Sequence, residues 1–218
     1  MFADLKAWSP ELLTGIRLTV GMTFGSMAIA LALGLALALG RISLNAWIRT
    51  PVIAFVELIR GSPLLLQLFY IYYVLPALGL RLTPIQAGLL GLGVNYAAYL
   101  SEVFRAGIAA VGSGQREASE SLGMSPSQTM RHIILPQAWR IVIPPTGNYF
   151  ISLFKDTALV STISIAELMF QGQLIASDTF RYTEIYSIIF VIYVAISVPA
   201  SAGVRWLERY FNRSGQRR

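Results

Sequence analysis

Residues Gly114 to Pro136 read "GQREASESLGMSPSQTMRHIILP" and stand between two long apolar runs. Local rules divide this polar stretch. Ser113 or Gly114 can open a short helix whose acids Glu117 and Glu120 suit the positive N-terminal end of the helix dipole. Gly123 suits the left-handed position that closes such a helix. Ser125-Pro126-Ser127-Gln128 is a second start, with serine as N-cap, proline in the first turn and glutamine completing a capping box. Pro136 marks a boundary before the next apolar run. Two short helices hinged at Gly123 and Met124 are expected, with Ala118, Leu122 and Met124 near one side. That is the shape of a small docking knob.

The surroundings of this stretch set the fold class. The chain has 218 residues, of which 55% are hydrophobic and 13% charged, against about a quarter charged in soluble domains. A helix crossing a bilayer needs about 20 mostly apolar residues. Four runs meet that length without a charge: Leu18 to Gly40, Gly61 to Leu80, Leu82 to Ser101 and Ile185 to Val204. A fifth, Ile133 to Phe154, is interrupted only by Arg140 and should kink at Pro144-Pro145. The expectation is one all-α membrane domain over residues 1–218 with five transmembrane helices, spanning about 16–40, 52–78, 82–109, 134–155 and 184–206. Residues 156–183 carry Asp156, Glu167 and Asp178 and are expected to form a re-entrant or interfacial segment, because polar backbone at depth needs protein around it.

Basic residues choose the orientation. With the N-terminus outside, eleven Lys and Arg fall in inner segments and five in outer ones, while Arg60 lies within a span. Short loops rich in positive charge stay in the cytoplasm. The reading is therefore N-out and C-in, with a cytoplasmic loop over 112–136. The opening "MFADLKAWSPELLTGIR" lacks the basic n-region of a cleaved signal peptide. The first span carries Gly21, Gly25 and Gly34, small residues that favour close helix packing.

Several function classes drop out. There is no cysteine, so disulfides and thiolate metal sites are excluded, and His132 is a lone histidine with no assigned role. The net charge of +6 punctuates apolar segments instead of clustering with aromatics, which argues against nucleic acid. No phosphate-binding G-x-x-x-x-G-K-[ST] occurs, and no nucleophile–base pair is readable. An enzyme is not expected, and neither is a cofactor held by this chain.

Glu117, Ala118, Ser119, Gly123, Ile133, Leu135 and Pro136 resemble the E-A-A-x-x-x-G signature with its trailing I-x-L-P found in permease subunits of ATP-binding cassette importers. Ser119 departs from the usual second alanine and is nearly as small. Glu57, Arg60, Gly61, Ser62, Pro63 and Gln67 resemble the E-x-x-R-G-[ST]-P-x-x-x-Q stretch of the polar amino acid subfamily, the histidine, glutamine and arginine type with the type I importer fold. "NYAAYLSEVFRAGI" (95–108) and "LFKDTALVSTISIAEL" (153–168) look like the same subfamily. The resemblance implies a permease subunit in a bacterial plasma (inner) membrane. It pairs with a second permease chain, as a homodimer or with a paralogue. Two ATPase subunits bind ATP and Mg, and an extracellular or periplasmic binding protein delivers an amino acid. Glu117, Ala118, Ser119, Gly123 and Met124 would couple to the ATPase by alternating access. The rival readings are an ion-coupled secondary amino acid carrier, which usually shows internal repeats across more spans, and a membrane scaffold without a transport path.

Candidate substrate residues follow from charge and helix chemistry. Ionisable groups at depth need a partner or a purpose. Glu57 and Arg60 can pair on one helix face, as can Glu102 and Arg105. Gly61 and Pro63 should unwind the helix after Arg60, so Arg60 and the amides at Ser62 can receive an α-carboxylate. Gln67 completes that stretch. Lys155, Asp156, Ser161 and Glu167 offer both signs to a zwitterion, with Asp156 toward the ammonium and Glu167 toward a basic side chain.

Overall fold

The computed structural model describes residues 5–215. Arg217 and Arg218, counted above for orientation, lie outside the described residues, as does the side chain of Arg213. The described chain is helical: α1 (Leu5–Arg41), α2 (Ala46–Arg60), α3 (Leu64–Phe69), α4 (Pro84–Ala110), α5 (Ser113–Ser121), α6 (Pro126–Thr129), α7 (Leu135–Asp156), α8 (Leu168–Thr179) and α9 (Tyr182–Gly215).

Small residues bring α1 and α4 together. A Cβ at Gly34 would lie 3.1 Å from the Ala97 carbonyl oxygen, and one at Gly25 would lie 2.7 Å from Leu89. Gly21, by contrast, faces nothing within 4 Å. The close-packing frame is therefore Gly25 and Gly34, and Gly21 lies off the contact. Met22 meets Gly88, Gly34 meets Leu100, and Arg41 meets Glu102, so the two helices run in the same direction. Gly40 against Val52 sets α2 antiparallel to α1. Gly107 against Val142 sets α7 antiparallel to α4. Gly147 against Val204, and the Phe154 ring 5.5 Å from Tyr193, set α9 antiparallel to α7. Five rods thus alternate in direction along the chain, and α1, α4 and α7 share a core that includes Met27, Tyr96, Leu100, Phe104 and Leu153.

The membrane-crossing count is less simple than five uniform spans. Among the described residues, two helices are long and apolar enough alone, within α1 and α9. Two bent pairs qualify if each counts as one span: α2 with 64–78, bent by 105°, and the rod 126–163 with α8, bent by 51°. The single second span expected over about 52–78 is therefore two arms at a right angle. Pro63 supplies no backbone donor and the chain unwinds before it. α4 does not qualify on hydropathy, yet at about 40 Å it is long enough to cross. Its polar Asn95 and Ser101 are buried.

Proline also widens two helices. At Tyr70–Val74 and Met130–Ile134 the backbone forms π turns, each followed two residues later by a proline, Pro76 and Pro136. A proline clashes with the carbonyl four residues back. Here Leu75 N–H reaches Tyr70 and Leu135 N–H reaches Met130, one residue further than usual. The second short helix expected in the 112–136 loop is consequently the first turn of a rod continuing into α7. Only α5 stands free. α7 itself continues through Pro144 and Pro145 as one helix.

Candidate functional site

The break between α2 and α3 faces the middle of α4 and the C-terminal end of α7. Arg60, Gly61, Ser62, Pro63 and Leu64 from the break, Asn95, Tyr96 and Tyr99 from α4, and Tyr149, Ser152 and Asp156 from α7 line a cavity of about 490 Å³. That lies within the range that holds small ligands. Each helix presents its residues at helical spacing, α4 at 95 and 99 and α7 at 149, 152 and 156, so one face of each rod forms one wall.

Charge is concentrated at two points of this cavity. Arg60 lies 3.7 Å from Glu57, a loose and partly exposed pair that adds little by itself. Its guanidinium carbon sits 5.5 Å from the centre of the Tyr99 ring, within cation–π range. Its Nε is buried and has no hydrogen-bond partner among the described residues. Buried polar groups nearly always have one. Asp156 accepts a 2.7 Å hydrogen bond from Tyr96 through Oδ2. Tyr149 lies edge-on to Tyr96 and tilted against Tyr99, with ring centroids 6.3 and 6.0 Å away. The wall is thus one guanidinium, one carboxylate and three phenols. It can meet a carboxylate and an ammonium separately.

Of the residues singled out from sequence, the cavity brings together Arg60, Ser62 and Asp156. Lys155 is exposed and does not line it. Ser161 is buried and donates to the Ala158 carbonyl at 2.7 Å. Glu167 is 0% exposed. It caps α8, accepting from Phe170 N–H at 2.9 Å, from Thr19 Oγ1 at 3.2 Å and from Tyr193 OH at 3.1 Å. Thr19 in turn accepts from Leu168 N–H at 3.1 Å, so three helices meet on one carboxylate. Gln67 sits behind the break, on the wall of a second, mainly apolar cavity of about 430 Å³. Asn95, Tyr96, Tyr99, Tyr149 and Ser152 were not picked out individually. Their signal was a set of polar and aromatic side chains at helical spacing inside otherwise apolar runs.

The polar loop ends α5 as its residues demand. Gly123 has φ +76°, and Met124 N–H reaches Ser119 O at 3.0 Å while Gly123 N–H reaches Glu120 O at 2.9 Å. That paired pattern closes a helix through a left-handed residue. Ser125 and Gln128 form the reciprocal capping box. Glu117, Ala118 and Gly123 are exposed and Met124 half-buried. Ser119 points inward, accepting a buried 2.9 Å hydrogen bond from Thr129 Oγ1. It ties α5 to α6. Below them Ile108, Val111, Ile134 and Ala138 root the loop in the bundle. Beside this end, Arg41 bonds Glu102 at 2.6 Å and Glu102 also pairs with Arg105, linking the ends of α1 and α4.

Both the sequence and the fold match a known set of proteins. The family model for the inner membrane component of binding-protein-dependent transport systems matches residues 29–214. The chain belongs to that family. Membership makes it the membrane component of an ATP-driven uptake system, not an ion-coupled carrier. A probable amino-acid ABC transporter permease protein of Sinorhizobium fredii is 41% identical over 199 residues, covering 91% of this chain and 86% of that one. The glutamine transport system permease protein of Escherichia coli is 37% identical, covering 92% of each. A crystal structure of an amino acid ABC transporter with histidines superposes with a TM-score of 0.89 at 38% identity, over 96% of this chain and 98% of that one.

Proposed function

We propose that this chain takes up an amino acid through the Arg60–Asp156 cavity, working as the permease of an ATP-binding cassette importer. The observation that carries the reading is Arg60, a guanidinium with a buried unpartnered Nε at a helix break, sharing one cavity with Asp156. Arginine matches a carboxylate with two parallel donors. Asp156 suits an α-ammonium, and the tyrosine faces add attraction for a cation. With one positive and one negative lining group, the cavity is balanced for a zwitterion whose side chain carries no net charge. Glutamine, named for the Escherichia coli relative, is of that class.

Family membership supports the rest of the assembly. The chain has no phosphate-binding loop, so ATP and Mg belong to two partner ATPase subunits. Glu117, Ala118, Gly123 and Met124 form the outer face that docks on them, and Ser119 holds that face in shape. A second permease chain completes the path, and a separate binding protein delivers substrate. The five rods cross a bacterial inner membrane N-out and C-in, because that arrangement puts the Arg41–Glu102–Arg105 node and the loop on the cytoplasmic side.

The test is amino acid binding by the purified permease–ATPase complex. Arg60→Ala and Asp156→Asn should each weaken binding about 10- to 100-fold, since hydrogen bonds to charged groups are worth about 1.5–3 kcal/mol. Assembly with the ATPase should persist. Wild-type affinity in both variants overturns the site.

A further inference from the structure

The Arg60 cavity depends on a piece of backbone that no helix supports. α2 ends at Arg60, and the carbonyl of Ile59 would normally bond the N–H four residues on, which is Pro63 and has none. Ser62 lies outside both helices. An unsatisfied carbonyl in the apolar part of a membrane protein is strongly unfavourable. Ser62 N–H and Ser62 Oγ reach the Ile59 carbonyl only at 3.4 and 3.3 Å, and its shortest partner is a side chain from the next helix. Gln67 Nε2 donates to Ile59 O at 2.7 Å and to Ser62 O at 3.1 Å, and lies 2.8 Å from Ser62 Oγ. The far end of the amide is also held. Asn95 Nδ2 donates to Gln67 Oε1 at 3.1 Å, and Asn95 is buried in α4 while lining the cavity from the other side.

Ser62 borders both cavities, and Gln67 reaches it from the side away from Arg60. The break is therefore a thin partition fixed from behind by one amide and indexed to α4 by a second. We infer that Gln67 is a positioning residue for substrate: it clamps the Arg60–Pro63 turn so that Arg60 and the backbone at Gly61 and Ser62 face the α-carboxylate. It does not touch substrate. This inference rests on the cavity reading above and adds a role to a residue outside that cavity. Methionine at this position matches glutamine in length but donates nothing. Glutamate keeps the acceptor for Asn95 and, when ionised, loses the donors to Ile59 and Ser62.

The experiment uses the permease–ATPase complex in lipid nanodiscs. The twenty common L-amino acids are titrated, and the tightest binder and its α-amide become the probes. Wild type should prefer the acid to the amide. Gln67→Met should weaken the acid at least about tenfold, in keeping with the value of a well-placed hydrogen bond to a charged group. The same change should leave the amide within twofold, so the preference collapses. If Gln67→Met does not assemble, Gln67→Glu is read in the same way. An equal loss for acid and amide, or no loss for either, overturns the positioning role. If instead Arg60→Ala leaves the acid affinity unchanged, the cavity reading itself fails, a result distinct from failure of the clamp.

Discussion

Glu167 gives a sharp test because charge alone suggests a substrate ligand and its surroundings suggest a bolt. The carboxylate is fully buried and accepts from Phe170 N–H, Thr19 Oγ1 and Tyr193 OH, joining α1, α8 and α9. Glu167→Ala removes the cap of α8, worth about 1 kcal/mol. It also takes the acceptor from the Tyr193 hydroxyl, which keeps Thr157 and Thr19 beside it; a buried group that loses its partner costs about 1–3 kcal/mol. Thr19 keeps the bond from Leu168 N–H, so its loss is smaller. The total is roughly 2–4 kcal/mol, or roughly 4–16 °C in midpoint for a chain of this size. Glu167→Gln keeps an acceptor for Phe170 and should lose less than half of that. The assay is the heated, detergent-solubilised complex followed by the fraction still assembled, alongside amino acid binding at a temperature where both variants are folded. The expected result is lower stability with affinity within threefold of wild type. Unchanged stability with lost binding would refute the bolt and return Glu167 to the substrate path.

Two further outcomes follow from backbone geometry. Gly34→Leu forces a side chain against the Ala97 carbonyl 3.1 Å from the Cβ position and should destabilise α1 against α4 by about 1–3 kcal/mol, whereas Gly21→Ala, with nothing within 4 Å, should stay within about 0.5 kcal/mol; equal melting midpoints for the two variants would count against this packing. Gly123→Val places a branched residue at φ +76°, at a penalty of about 1–2 kcal/mol, and should reduce the stimulation of ATP turnover by the loaded binding protein while Gly123→Asn, which tolerates that conformation, retains it. Full stimulation in the valine variant would separate the loop from coupling.

Legibility in the sequence depended on whether the cause was local. The end of α5 at Gly123 and the capping box of Ser125 and Gln128 rest on neighbours within a few residues, and both could be read directly. The unwinding after Arg60 was equally visible, because Gly61 and Pro63 weaken a helix in any context. The angle of 105° was not, since it depends on how α2 and α3 each pack against α4. Glutamate is not among the preferred cap residues, so Glu167 registered only as a charge, and its partners lie 26 and 148 residues away. The Glu102–Arg105 pair is legible by spacing, but the second partner of Glu102, Arg41 on α1, is 61 positions earlier in the chain. The tyrosines of the cavity carry only an ambiguous local mark. An aromatic at helical spacing in an apolar run packs a core as readily as it lines a cavity.

The most direct measurement is a cryo-electron microscopy map of the assembled importer, in nanodiscs with its ATPase subunits, at saturating amino acid. It should show the α-carboxylate within hydrogen-bond reach of Arg60 and the turn at Gly61 and Ser62, with the ammonium toward Asp156. Bound amino acid seated elsewhere in the permease, with the Arg60–Asp156 cavity filled only by water, would contradict the account.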